Sequence, residues 1–356
     1  MSEFLASRYA NLTPYVPGEQ PHDRAYVKLN SNEYSGAPSP EVQRALQDPG
    51  LFARLGSYAD PHCWPLREAV ARVHGVEPEQ VFVGNGSDEV LGFLLLAFLE
   101  PGDAIAFPDV SYGYYRDYAA TQGLAAKQVP LREDWTLDVD AFAAFPGTVV
   151  FPNPNAPTGL AIGTADIARI CAAHPERLVI VDEAYVDYGA QSSVELLPQY
   201  RNLVVVHTMS KSYGLAGAHI GWCLAAADVV RDLNDLKFSF NPFNVSAPTM
   251  AVGIAALDDQ AFLHERVAAV VAERNRTTER LRELGFEVLP SEANFIFARH
   301  PHMGSETWCA RLREAGVLTR YYAAPRTREW LRVSVGQPDE MQAFLAHTER
   351  ILQELG

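Results

Sequence analysis

Short, wholly apolar runs, each closed by glycine, proline, asparagine or aspartate and several followed by a longer stretch of helical period, recur through the middle of the chain. The runs at 81–83, 104–107, 148–151, 178–182, 203–208 and 220–224 predict strands, and 87–99 and 164–173 predict helices between them. Because most of these strands are apolar along their whole length rather than at alternate positions, the sheet they form is covered on both faces. That confines the chain to the α/β class, with a mostly parallel central sheet and helices on either side.

The pattern changes on both flanks of this block. Residues 11–39 are irregular and rich in turn formers. From about Asn244 a long helix is predicted over 258–284, with Phe262, Val267, Val270, Val271, Leu281 and Leu284 on one face and Gly285 as its stop. Strands near 286–289, 294–298, 317–321 and 330–335 follow. A closing helix carries Met341, Phe344, Leu345, Thr348, Ile351, Leu352 and Leu355 at helical spacing. The expected division is an N-terminal arm with part of a small domain (1–44), a large domain (45–243) and a smaller α+β C-terminal domain (244–356). No internal repeat or low-complexity segment interrupts it.

Composition excludes several functions. The 356 residues are 48% hydrophobic and 21% charged, which rules out a disordered chain, and 29 Lys plus Arg against 44 Asp plus Glu leave a net charge of -15. With no basic run to offset it, that charge repels nucleic-acid phosphates and acidic membrane surfaces. The longest apolar run, 90–99, is about half of what spans a bilayer, and residues 1–10 lack a basic region followed by an apolar one. A cytoplasmic location is expected. Cys63, Cys171, Cys223 and Cys309 lie far apart, with no Cys-x-x-Cys and no histidine at metal-ligand spacing, so neither a disulfide framework nor a metal site is indicated.

Four segments carry chemistry. Gly84, Asn85, Gly86 and Ser87 form a strand-to-helix turn whose free N–H groups suit an anion, although the third glycine of a dinucleotide fingerprint and a Walker lysine are both missing. A plain structural turn is the alternative. Asn-Pro-Asn-Ala-Pro-Thr-Gly (153–159) follows an apolar strand at the sheet edge where ligands bind in α/β folds, and could equally be a loop stiffened by its prolines. Asp182 and Glu183 end another apolar strand, where an unpaired carboxylate is costly and a positive partner is implied; Tyr185 stands just beyond. Lastly, Lys211 lies among small hydroxyl and glycine residues after the strand 203–208. The chain's other lysines are only Lys28, Lys127 and Lys237, so a lysine here is poorly placed for solubility and well placed to form a Schiff base with an aldehyde.

A phosphate cradle, a carboxylate for a pyridinium nitrogen, a neighbouring tyrosine and a Schiff-base lysine are what pyridoxal 5'-phosphate requires. The chain resembles the fold-type I pyridoxal-phosphate aminotransferases and, more narrowly, the histidinol-phosphate aminotransferase family. The resemblance rests on Leu-Asn-Ser-Asn-Glu (29–33), Tyr-Ala-Asp-Pro (58–61) with Leu66 and Arg67, Gly-Asn-Gly-Ser-Asp-Glu (84–89), and Pro-Asp-Val-Ser-Tyr (108–112). It continues through 153–159, Asp-Glu-Ala-Tyr (182–185), Ser210 and Lys211 with Gly-Leu-Ala-Gly (214–217), Thr319 and Arg320, and Leu-Arg-Val-Ser-Val-Gly (331–336).

That resemblance implies a homodimeric enzyme moving an amino group between histidinol phosphate and 2-oxoglutarate. Lys211 is then the covalent anchor and the proton shuttle, Asp182 pairs with the ring nitrogen, Tyr185 bonds the phenolate oxygen and Tyr112 stacks on the ring. Gly86, Ser87, Thr208 and Ser210 hold the phosphate, reached also by Tyr58 from the partner subunit. Arg320 and Arg332 are implied for the substrate anion, with Tyr15 of the N-terminal arm. Two positions depart from the family. Ala156 stands where an asparagine often meets the phenolate oxygen, a role passed here to Asn155, and His219 stands where the family has a phosphate-binding arginine. The same motifs are compatible with an aromatic or specialised-metabolite aminotransferase of the family and with an amino-acid-phosphate decarboxylase. A non-catalytic relative is opposed by the intact Lys211, Asp182 and Tyr185.

Overall fold

In the computed structural model, which describes residues 2–9, 12 and 17–355, a two-residue strand, β1 (Val27–Lys28), precedes the large sheet. That sheet is built from β2 (Val81–Gly84), β3 (Ala104–Pro108), β4 (Ala125–Val129), β5 (Thr148–Pro152), β6 (Val179–Asp182), β7 (Leu203–Thr208) and β8 (Gly221–Leu224). Their order is β2-β8-β7-β6-β5-β3-β4. Only β8 runs against its neighbours, antiparallel to β2 and β7. The other pairs are parallel.

All residues of β2, β5, β6, β7 and β8 are buried, as their unbroken apolar runs require. Val81, Val83, Val149, Phe151, Val179, Val181 and Val205 join one apolar cluster, while Phe82, Val150, Ile180, Val204 and Val206 join the other, so successive residues fill opposite faces. Helix Gly86–Phe98 covers the second face with Leu91, Leu94 and Leu95. Each such side chain contributes about 2 kcal/mol by leaving water. The strand missing from the sequence reading is β4, whose Ala-Ala-Lys-Gln-Val has its first four residues exposed and pairs only with β3. An edge strand of this kind has no apolar run to announce it, and Lys127 blunts the open edge.

The C-terminal part has its own sheet of β9 (Glu287–Val288), β10 (Phe295–Arg299), β12 (Arg320–Tyr321) and β13 (Leu331–Ser334), in the order β12-β13-β10-β9 and antiparallel throughout. Between them in sequence, β11 (Val317–Leu318) pairs in parallel with β1, Val27 opposite Val317. The single strand expected at 317–321 is therefore two, each half claimed by a different partner. Pairing with β1 also draws Leu29 into the cluster of Ile296, Trp308, Leu331 and Phe344.

The long helix begins at Gln260 rather than 258, because Asp259 caps it by accepting from the Phe262 N–H at 3.3 Å. Gly285, at φ +88, follows its end. An unanticipated helix, Ala247–Asp258, precedes it and buries Met250, Val252, Ala256 and Leu257 in the large-sheet cluster. The apolar contacts pass to the smaller cluster near Val270, not at 244. All four cysteines are free thiols, three of them buried. No helix among the described residues is long and apolar enough to cross a membrane.

Candidate active site

Pairing register brings the chemistry-bearing segments to one edge of the large sheet. Pro152 lies opposite Asp182, Asp182 opposite Val206, and Gly221 opposite both Thr208 and Gly84. The loops after β2, β5, β6 and β7 and the entry to β8 therefore converge, at the carboxyl ends of the parallel strands where α/β sheets bind ligands.

Asp182 is 4% exposed. Its Oδ2 accepts from the Tyr115 hydroxyl at 2.7 Å and its Oδ1 from the Ala184 N–H at 3.2 Å. The positive partner expected from sequence is not supplied as an ion pair among the described residues. Burial pushes the Asp182 carboxyl up to about 6; the Tyr115 and Ala184 bonds and the Lys211 charge oppose that, and Asp88 adds to it. Glu183 goes elsewhere. It accepts from the Ser192 hydroxyl and from the Ser193 N–H and hydroxyl, all at 2.6 Å, beside His207 at 3.4 Å, and is pushed up to about 7 by burial.

Lys211 is half-buried, and its Nζ lies 5.8 Å from the centre of the Tyr185 ring. The Tyr185 hydroxyl accepts from Asn32 Nδ2 at 3.0 Å, which leaves its own hydrogen free to donate. Asn32 is itself locked, at φ +56, by its N–H donating to Ser334 Oγ at 2.8 Å and its Oδ1 accepting from that hydroxyl at 2.9 Å. Asn155 donates its amide to the Val110 carbonyl at 3.1 Å and to Thr158 Oγ1 at 2.9 Å, while its Oδ1 is buried without a partner. Ala156 instead packs with Tyr185 and Phe295.

The anion turn is formed from two directions. Gly86 adopts φ +84, and Ser87 stands in the first turn of helix Gly86–Phe98. A Cβ on Gly221 would lie 2.2 Å from the Ser87 backbone nitrogen, so only glycine lets β8 approach the turn. His219, exposed and left-handed at φ +58, has Nδ1 3.0 Å from the Asn85 carbonyl and so donates there. Thr208 Oγ1 lies 3.0 Å from Ser210 Oγ and accepts from the Ser210 N–H at 3.2 Å. Tyr112 donates to Asp88 Oδ1, one residue beyond Ser87, at 2.9 Å.

From Lys211 a row of side chains leads to two arginines. The Tyr185 and Phe295 rings meet edge to face at 5.1 Å, and the Arg332 guanidinium sits 5.6 Å from the Phe295 ring. Arg320 and Arg332 are register partners on antiparallel strands, an arrangement that like charges disfavour unless an anion lies between or near them. Arg332 donates to the Asn30 carbonyl at 2.7 Å, keeps a buried Nε without a partner and has no carboxylate at ion-pair distance among the described residues. Arg320 donates to the Pro17 carbonyl at 3.1 Å. Tyr58 is 83% exposed and stacks on Phe243 at 4.3 Å. Tyr15 lies outside the described residues.

Two members of the site went unassigned in the sequence. Tyr115 could have been flagged by its place beside Tyr112 and Tyr114, but an aromatic cluster reads as core. Asn32 lies in a quoted motif, yet nothing local shows that it meets a tyrosine 153 residues away.

The model for the family described as aminotransferase class I and II matches residues 24–347, and the chain belongs to that family. It is 42% identical over 349 residues to a histidinol-phosphate aminotransferase of Marinomonas sp. (strain MWYL1), covering 97% of this chain and 99% of that one. It is 41% identical over 357 residues to the histidinol-phosphate aminotransferase of Aromatoleum aromaticum, covering 99% and 100%. Among solved structures, histidinol-phosphate aminotransferase from Sinorhizobium meliloti in complex with pyridoxal-5'-phosphate superposes with a TM-score of 0.88 at 25% identity, covering all of both chains.

Proposed function

We propose that the chain is a pyridoxal-phosphate-dependent aminotransferase that moves the amino group of histidinol phosphate to 2-oxoglutarate, as a cytoplasmic homodimer. The observation that carries this is the placement of a buried Asp182, without an ion-pair partner among the described residues, and Lys211 after neighbouring strands at one sheet edge, with Arg320 and Arg332 register-paired beyond Tyr185 and Phe295. These residues fit the cofactor: a carboxylate that burial alone would protonate suits a cationic ring nitrogen, and a glycine turn at a helix start suits a phosphate. When bound, pyridoxal phosphate takes up the electron pair left behind as a proton leaves the substrate Cα.

Lys211 Nζ would be the covalent anchor and, once released, would carry the proton from the substrate Cα to the cofactor's C4' along one face. Asp182 keeps a proton on the ring nitrogen. Tyr185, its lone pair engaged by Asn32, donates to the phenolic oxygen, whereas Asn155, expected there too, has both amide hydrogens given to the Val110 carbonyl and Thr158 Oγ1. Tyr112 covers the ring face. Gly86, Ser87, Thr208, Ser210 and His219 hold the phosphate, joined by Tyr58 of the partner subunit. Arg320 and Arg332 grip the substrate's phosphate or carboxylate, with Tyr15 of the N-terminal arm as a further substrate residue; an arginine fork serves either anion.

Borohydride reduction of the yellow holoenzyme followed by peptide mapping tests the anchor. The label is expected on Lys211, and Lys211→Ala loses overall transamination by several orders of magnitude. Label on Lys237 or Lys127 would contradict it.

A further inference from the structure

Tyr115 lies on helix Tyr114–Gln122 and is 0% exposed, its ring tilted against Phe107 at 6.1 Å and edge-on to Tyr112 at 5.7 Å. Phenylalanine would fill that space without the cost of burying a hydroxyl. The hydroxyl has one recorded partner, Asp182 Oδ2 at 2.7 Å. We infer that Tyr115 is a positioning residue for Asp182, its hydroxyl holding the carboxylate ionised and in one rotamer before the cofactor arrives. This rests on reading Asp182 as the partner of the ring nitrogen.

The groups facing that carboxylate come from four elements. Tyr115 donates from its helix and the Ala184 N–H from the loop after β6; Lys211 attracts from the loop after β7, and Asp88 repels from the start of helix Gly86–Phe98. Burial is the largest influence, and it favours the protonated acid. Of the favourable contacts the Tyr115 bond is the strongest, and it is a hydrogen bond made to the charged form. Without it, burial and Asp88 are less opposed, and Asp182 takes up its proton at higher pH. A cofactor arriving with a protonated ring nitrogen must then displace that proton over a wider pH range, so its affinity declines earlier as pH falls.

The test is cofactor dissociation constants for the full chain, stripped and titrated with pyridoxal phosphate from pH 5 to 8.5. Tyr115→Phe is expected to move the midpoint of the acid limb up by about one pH unit, which weakens binding about twofold near pH 7 and about tenfold near pH 5, with kcat falling more than KM rises. Tyr118→Phe, from the same helix but bonded to the Asp88 carbonyl at 2.8 Å, keeps the parent midpoint. A midpoint in Tyr115→Phe equal to the parent's overturns the inference. Should that variant fail to fold by circular dichroism, 3-fluorotyrosine at 115, a stronger donor of nearly the same shape, moves the midpoint down; an unmoved midpoint there overturns it equally. Asp182→Asn separates the two readings, since parent-like cofactor binding in that variant would remove the role of Asp182 itself, whatever Tyr115 does.

Discussion

Asp182 sits 4% exposed at the end of β6, and burial raises its carboxyl from an ordinary 3.8 to about 6. An acid whose folded value is raised stabilises the fold below its unfolded value, and that stability is lost as pH climbs through the folded one. The cofactor-free protein therefore carries a penalty at neutral pH, which a ring nitrogen in the role proposed for it would offset. Asp182→Asn without cofactor should be more stable than the parent near pH 8 by on the order of 2 kcal/mol, with the difference gone below about pH 4; denaturant melts at both pH values check this, and equal stability near pH 8 contradicts it. Lys211, Asp182 and Tyr185 were legible because charge or hydroxyl at the end of an apolar strand is anomalous. Tyr115 and Asn32 were not, since their significance lies in a partner distant in sequence. His219 was legible only as a departure. Its Nδ1–H is committed to the Asn85 carbonyl, so only a ring that also carries a hydrogen on Nε2 can donate to a phosphate. His219→Arg should tighten cofactor binding by about 1 kcal/mol; an equal dissociation constant in the two proteins would contradict a phosphate contact at this position.

At the level of elements, the large sheet was readable wherever both faces are covered and obscure at its edge. β5, β6 and β7 declare themselves as continuous apolar runs, whereas β4 does not. Pairing partners were the other hidden quantity: nothing within 317–321 tells that Leu318 belongs with β1 and Arg320 with β13. The contact between β8 and the helix Gly86–Phe98 is equally non-local, and it makes a sharp prediction. In Gly221→Ala the added Cβ would lie 2.2 Å from the Ser87 nitrogen and 2.5 Å from the Gly86 carbonyl carbon, both backbone atoms that cannot step aside cheaply. Stability should drop by about 2 kcal/mol or more, with cofactor affinity falling too, because the strained turn is the one proposed to hold the phosphate. Gly217→Ala, where nothing lies within 4 Å, should melt close to the parent. Thermal unfolding with and without cofactor compares them, and equal melting of the two variants would mean that the turn gives way freely.

Across the whole molecule, Lys211 and Asp182 come from the seven-stranded sheet, while Arg320 and Arg332 come from the four-stranded one, joined through Tyr185 and Phe295. β1 pairs with β11 in a two-stranded sheet of its own, and the Asn30 carbonyl just beyond β1 accepts from Arg332, so that arginine's placement depends on residues near both ends. The sequence showed two apolar patterns but not where one core hands over to the next, because helix Ala247–Asp258 follows the change of pattern in sequence yet packs on the large sheet. On the proposed roles, with the lysine and the arginines supplied by different sheets, the donor would be selected by an anion held at a fixed reach from the lysine. The decisive measurement is the half-reaction of the holoenzyme with single amine donors and no acceptor, followed by the cofactor's absorbance. Histidinol phosphate should convert the cofactor to its amine form fastest, histidinol far more slowly, and Arg320→Ala should forfeit on the order of 2 kcal/mol of that preference. Faster conversion by aromatic amino acids, or no conversion by any amine alone, would contradict the account.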